Sequence, residues 1–185
     1  MPLKTFHNLH ESRQKEIRRI CFLEFEKHGF EGASLARIIK ELDLARGSFY
    51  RYFESKEDLF YYLAEYAVSI TDEVMLKCFK NPDISFYQAW IDNFLELHRY
   101  EDGDTAYLQF LSGLSKEQIS TLISNNIIKK PAEQFEFMKE VISIHKANGS
   151  IRKDLDDLFI VLFLRKMRDF LREYLFYKNQ GTSAN

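Results

Sequence analysis

Residues 33–59 read Ala-Ser-Leu-Ala-Arg-Ile-Ile-Lys-Glu-Leu-Asp-Leu-Ala-Arg-Gly-Ser-Phe-Tyr-Arg-Tyr-Phe-Glu-Ser-Lys-Glu-Asp-Leu. Ser34 is placed to cap a short helix that ends near Leu42, and a second helix occupies roughly Ala45 to Phe53. A short helix, a tight turn and a second helix dense in arginine and tyrosine make the layout of a DNA-reading helix-turn-helix. Projected at about 100° per residue, Ala45, Phe49 and Phe53 fall on one side of the second helix and Gly47, Tyr50 and Arg51 on the other. One face anchors and the other is offered outward. Gly47 on the outward face admits a phosphate or base edge close to the backbone, at a cost of about 1 kcal/mol in helix propensity relative to alanine. Tyrosine hydroxyls donate to phosphate oxygens, Ser34 and Ser48 can do the same, and Arg46, Arg51 and Lys56 can neutralise phosphates or read guanine.

Helical signals continue on both sides of this stretch. The preceding helix is expected from about Ser12 to Lys27, with Ile17, Ile20, Cys21, Leu23 and Phe25 as its buried stripe and His28-Gly29 as its stop. Ser55-Lys56-Glu57-Asp58 opens a long helix with a serine cap and acids in the first turn, running to about Phe79. Asn81-Pro82-Asp83 breaks it; helices are expected from about Ser85 to Arg99 and from about Thr105 to Leu111. Ser115 and Gln118 have the spacing of a capping box, Pro131 starts a helix that stops at Asn148-Gly149, and a last helix is expected from about Asp154 to Lys178. That last helix carries Leu155, Leu158, Phe159, Leu162, Phe163, Phe170, Leu171, Tyr174 and Leu175, an apolar face too wide for a single contact. With seven glycines, three prolines and no sustained strand-like alternation, the chain reads as an all-α protein.

The 185 residues, 45% hydrophobic and 15% aromatic, suffice for a substantial core. A net charge of -2 hides an asymmetry: residues 1–56 hold 11 Lys and Arg against 8 Asp and Glu, and the remainder is acidic. The basic end coincides with the proposed head. Cys21 and Cys78 are far apart and form no metal motif, so they read as reduced thiols in a cytoplasmic protein. The first ten residues lack the apolar core of a signal peptide, and the apolar run from Leu158 to Leu164 is far short of the roughly 20 residues that span a bilayer, so no membrane association is expected. No P-loop, dinucleotide fingerprint, nucleophile elbow or His-Glu-x-x-His motif is present. The reading is therefore not an enzyme, with no cofactor and no metal; His98 and His145 have no ligand-like spacing to cysteine or acid.

Gly29-Phe30, Ser34-Leu35, Ile38 and above all Gly47-Ser48-Phe49-Tyr50-Arg51-Tyr52-Phe53-Glu54-Ser55-Lys56-Glu57-Asp58-Leu59 resemble the amino-terminal domain of the TetR/AcrR family of bacterial transcriptional regulators, over about Ile17 to Leu63. The resemblance implies a three-helix DNA-binding domain, residues 1–56, and a larger helical domain, residues 57–185, that binds a small-molecule effector and forms a homodimer. It implies a repressor released by its ligand from a near-palindromic double-stranded operator. By position, Arg46, Gly47 and Ser48 would meet base edges and backbone, Tyr50 and Tyr52 would clamp phosphates, Arg51 would read base or phosphate, and Ser34 and Lys56 would meet phosphates. Arg37 would stand in for a base-reading arginine that many members place where this chain has Ala36. Other departures are Ile39 for a small residue, Asp43 for the turn glycine and Ala45 for a capping serine.

In the body, Trp90, Phe94, His98, Tyr107 and Phe110 are spaced to line adjoining helices and could form an apolar pocket with polar tips; the competing reading is plain core. For the head, packing alone would account for Tyr50, Tyr52 and Phe53 but not for Gly47 or Lys56. A different class, a helical protein of this fold acting through protein contacts without specific DNA binding, is separated from the regulator by DNA affinity and its salt dependence.

Overall fold

A computed structural model describes residues 2–100, 105–167 and 170, and these form helices and turns with no strand. The all-α expectation holds. The chain divides into two compact units, Met1–Cys78 with Trp90–Lys130, and Phe79–Ala89 with Pro131–Asn185.

In the first unit, α1 (Lys4–His7) precedes α2 (Glu11–Gly32), α3 (Leu35–Glu41), α4 (Arg46–Phe49) and the long α5 (Lys56–Phe79). The expected stop at Gly29 is a kink: its φ of 63° and ψ of 178° leave helical geometry, a backbone state open to glycine, and the chain then completes another turn. Burial on α2 follows Ile17, Cys21 and Phe25 at four-residue steps, joined by Arg18 and Phe22. Leu23, expected in that stripe, is exposed, and Ile20 is half-buried, because the stripe turns through 18 and 22 instead.

Ser34 caps α3 as expected, its Oγ accepting from the Arg37 N–H at 3.4 Å. Asp43 makes the turn at φ 50°, the left-handed state that aspartate tolerates better than most residues. The second helix of the pair is shorter than the sequence predicts: α4 ends at Phe49 and residues 50–52 form a turn. Ala45 supplies no side-chain cap, and Gly47 weakens the helix from within. Ala45 is also exposed rather than part of the anchoring side, which is left to Phe49 and Phe53, both fully buried.

Those rings meet a residue the sequence reading did not single out. Phe6 of α1 is fully buried, 5.1 Å from the Phe53 ring and 5.3 Å from Tyr62 of α5. Phe53 lies 5.6 Å from both Phe49 and Tyr62. Farther along, α6 (Phe86–Arg99), α7 (Ala106–Ser112) and α8 (Lys116–Ser124) follow. Phe110 of α7 packs on Phe22 and Phe25 of α2, at 5.3 and 6.2 Å. The capping box at Ser115 is formed in both directions with Gln118.

The second unit holds α9 (Pro131–Ala147) and a helix, α10, over 157–167. Ile142, Ile151 and Ile160 are its core, with Phe86 and Leu155 packed against them. His145 is fully buried with both ring nitrogens satisfied: Nε2 donates to the Phe79 carbonyl at 3.0 Å and Nδ1 meets Ser150 Oγ at 3.2 Å. The last helix starts at 157 rather than 154 because the Asp156 carboxylate caps it, accepting from the Phe159 N–H at 2.9 Å. Of its predicted apolar face, Leu171, Tyr174 and Leu175 lie outside the described residues.

Candidate nucleic-acid interface

Phe49 and Phe53 fix which way the rest of the segment points. With both rings in the core, Arg46, Gly47, Tyr50 and Arg51 are exposed, and Ser48 and Tyr52 are half-buried at the edge. The Arg46 guanidinium lies 5.9 Å from the Tyr50 ring centre, so the two side chains share one patch. A Cβ added to Gly47 would meet nothing within 4 Å. Internal packing does not require a glycine there. Among the described residues, neither Arg46 nor Arg51 forms an ion pair.

Three backbone contacts hold this patch in register. The Leu3 N–H donates to the Tyr52 carbonyl at 2.9 Å, the Thr5 hydroxyl donates to the Arg51 carbonyl, and the Arg13 guanidinium donates to the Leu42 carbonyl at 2.8 Å, at the end of α3. Sequence reasoning missed Phe6, Thr5 and Arg13. The one phenylalanine among the first ten residues was the signal for the first; arginine-to-carbonyl contacts over 29 residues of separation leave no pattern in one sequence.

The other two cations are engaged by partners within the fold. Arg37 Nε donates to Glu24 Oε1 at 2.9 Å, and its terminal nitrogen donates to the Gly32 carbonyl at 2.6 Å. The same Glu24 oxygen accepts the Ser34 N–H at 2.8 Å. Burial pushes the Glu24 carboxyl up, but the Arg37 hydrogen bond, the Ser34 N–H and the charges of Arg37 and His28 outweigh it and hold the group below the usual carboxylate range. Lys56 Nζ donates to the Phe30 carbonyl at 2.8 Å, faces those of Glu31 and Ala33 at 3.3 and 3.5 Å, and lies 4.7 Å from the Phe30 ring centre. Lys56 and Glu24 therefore clamp the segment after the Gly29 kink from opposite ends.

The five body residues separate as well. Tyr107 and Phe110 are buried; the Tyr107 hydroxyl donates to the Leu97 carbonyl at 2.5 Å. Phe94 is exposed with its ring 4.1 Å from that of His98 at a tilt of 34°, and Trp90 is half-buried. Burial drives the Cys21 thiol far up, with the Glu24 charge adding to it, and raises Cys78 in the same way, so both stay protonated at neutral pH.

Residues 24–63, which contain the Glu24–Arg37 corner, the turn and the exposed patch, match the model for bacterial regulatory proteins of the tetR family. Over these residues the chain is of the tetR type. Its likeness extends to HTH-type transcriptional regulators of Staphylococcus aureus strains USA300, NCTC 8325 and COL, each 42% identical over 55 residues. That alignment covers 30% of this chain and 29% of the relative, so the chain matches less than a third of the curated relatives' length. A solved TetR family transcriptional regulator from Chloroflexus aurantiacus J-10-FL superposes with a TM-score of 0.58 at 22% identity, over 89% of this chain and 76% of that one. The all-helical fold is thus shared over most of the chain.

Proposed function

We propose that the protein is a DNA-binding transcriptional regulator of the TetR type, a homodimeric repressor released from its operator by a small molecule. The observation that carries the reading is the patch of Arg46, Gly47, Tyr50 and Arg51, exposed on a rigid aromatic base and free of ion pairs among the described residues. In this reading Arg46 reads a base edge, Gly47 and Ser48 let the backbone approach, and Tyr50, Arg51 and Tyr52 hold phosphates. Ser34 adds a phosphate contact at the start of α3. Arg37, paired with Glu24, and Lys56, donating to the Phe30 carbonyl, hold the frame.

The apolar surface of α10 supports the homodimer: Leu158, Phe159, Leu162 and Phe163 are 50–59% exposed on adjacent turns of one helix. Two heads would then enter successive major grooves about 34–36 Å apart on a near-palindromic operator. Release by a small molecule is supported by the family likeness and by the aromatic surface that Trp90, Phe94 and His98 present on α6. Among the described residues no helix is long and apolar enough to cross a membrane.

Fluorescence anisotropy on the DNA flanking the protein's own gene, at two salt concentrations and with excess competitor, tests the reading. Specific, salt-sensitive binding with two protomers per site is expected. Binding no tighter than to random DNA, there and across a genomic operator selection, would overturn it.

A further inference from the structure

A cavity of about 190 Å³ opens beside the clamped corner. Phe30, Phe60 and Tyr61 supply its aromatic surface. Phe60 is nearly buried, with its ring 5.0 Å from Phe30 and 6.0 Å from Tyr61. Glu57 from the first turn of α5 and Glu117 from the first turn of α8 also border it, with Gln118 and Thr121 completing the wall. Among the described residues its lining holds two carboxylates and no cation. The nearest lysine of the corner, Lys56, already donates to the Phe30 carbonyl.

Both carboxylates are charged at neutral pH. The Glu57 backbone N–H and the Ser55 hydroxyl hold Glu57 below the usual range, and the Glu117 backbone N–H and the Ser115 hydroxyl do the same for Glu117. The Lys56 charge also acts on Glu57, and aromatic rings beside two carboxylates attract a cation that is weakly hydrated and carries apolar surface. A metal ion gains nothing from the rings, and an anion is repelled by the carboxylates.

We propose that this cavity, between Phe30, Phe60 and Tyr61 and the Glu57 and Glu117 carboxylates, binds a small organic ammonium ion bearing an apolar or aromatic group. Because Phe30 belongs both to the cavity and to the Lys56 clamp, a ligand here is placed to act on the α2–α3 corner. That consequence rests on the DNA-binding reading above, whereas binding itself is measured without DNA.

The test is calorimetric titration of the full chain with benzyltrimethylammonium, against neutral N-benzylacetamide and anionic phenylacetate. Saturable one-to-one binding at about 1 mM or tighter is expected, with both controls weaker by about tenfold or more. Thr121→Trp, which keeps both carboxylates and fills the cavity, should abolish binding. The Glu57→Gln/Glu117→Gln pair should weaken it by about tenfold with circular dichroism unchanged; if that pair fails to fold, Thr121→Trp decides alone. No saturable binding of the cation, equal binding of the neutral control, or unchanged binding in Thr121→Trp would each overturn the proposal.

Discussion

The corner between α2 and α3 and the segment from Ala45 to Phe53 are both rich in cations and aromatics, yet they direct them oppositely. At the corner, Arg37 and Lys56 are partnered by Glu24 and four carbonyls. In the recognition segment it is the aromatics, Phe49 and Phe53, that turn inward, and Arg46 and Arg51 stay exposed. A positive charge in this part of the chain is therefore not one kind of object. Some charges hold the frame, and others stay exposed.

The sharpest way to break this division is to remove the aromatic base. Phe49→Ala leaves a cavity under the recognition segment and should cost about 3–5 kcal/mol of stability, read as a drop in the urea midpoint. A loss below about 1 kcal/mol would mean that the segment is held by something other than its core.

Removing the corner carboxylate should cost less and show a distinct pH signature. Glu24 is 11% exposed but its partner Arg37 is 50% exposed, so Glu24→Gln should lose about 1–2 kcal/mol at neutral pH. The folded carboxyl sits below its ordinary value of 4.5, so its stabilising contribution is present above that pH and is lost as pH falls through the depressed value. Melts on acidification should therefore show wild type converging on Glu24→Gln. Parallel curves down to pH 3 would contradict the ion-pair account.

Gly47 separates stability from recognition. With open space around a Cβ at this position, Gly47→Ala should raise stability by up to about 1 kcal/mol through helix propensity, while weakening operator binding through close approach to DNA. Higher stability with unchanged binding would show that the DNA does not come near α4 at this point.

The fold was legible wherever a single residue type enforces a local backbone state. Ser34, Ser55, Ser115 and Pro131 each start a helix within a residue of the predicted place, because caps act over three or four residues and leave a mark in sequence. Asp43 likewise carried its turn. What was hidden depends on distant partners. Periodicity predicted a second helix through Phe53, but docking of Phe53 on Phe6 and Tyr62 ends it at Phe49. The sequence placed Arg37 and Lys56 beside the predicted recognition helix, yet not their engagement by Glu24 and the Phe30 carbonyl, which reach them from α2.

The measurement that tests the central claim most directly is the salt dependence of operator affinity for wild type, Arg51→Ala, Arg46→Ala and Arg37→Ala, each checked for an intact fold. Arg51→Ala should make the slope shallower by about one, and Arg46→Ala should weaken binding by about 1–3 kcal/mol and relax sequence preference. Arg37→Ala should leave the slope unchanged, because its charge is spent on Glu24. A slope that falls as much for Arg37→Ala as for Arg51→Ala would show that the partnered cations bind DNA as the unpaired ones do, and the division drawn between the two regions would fail.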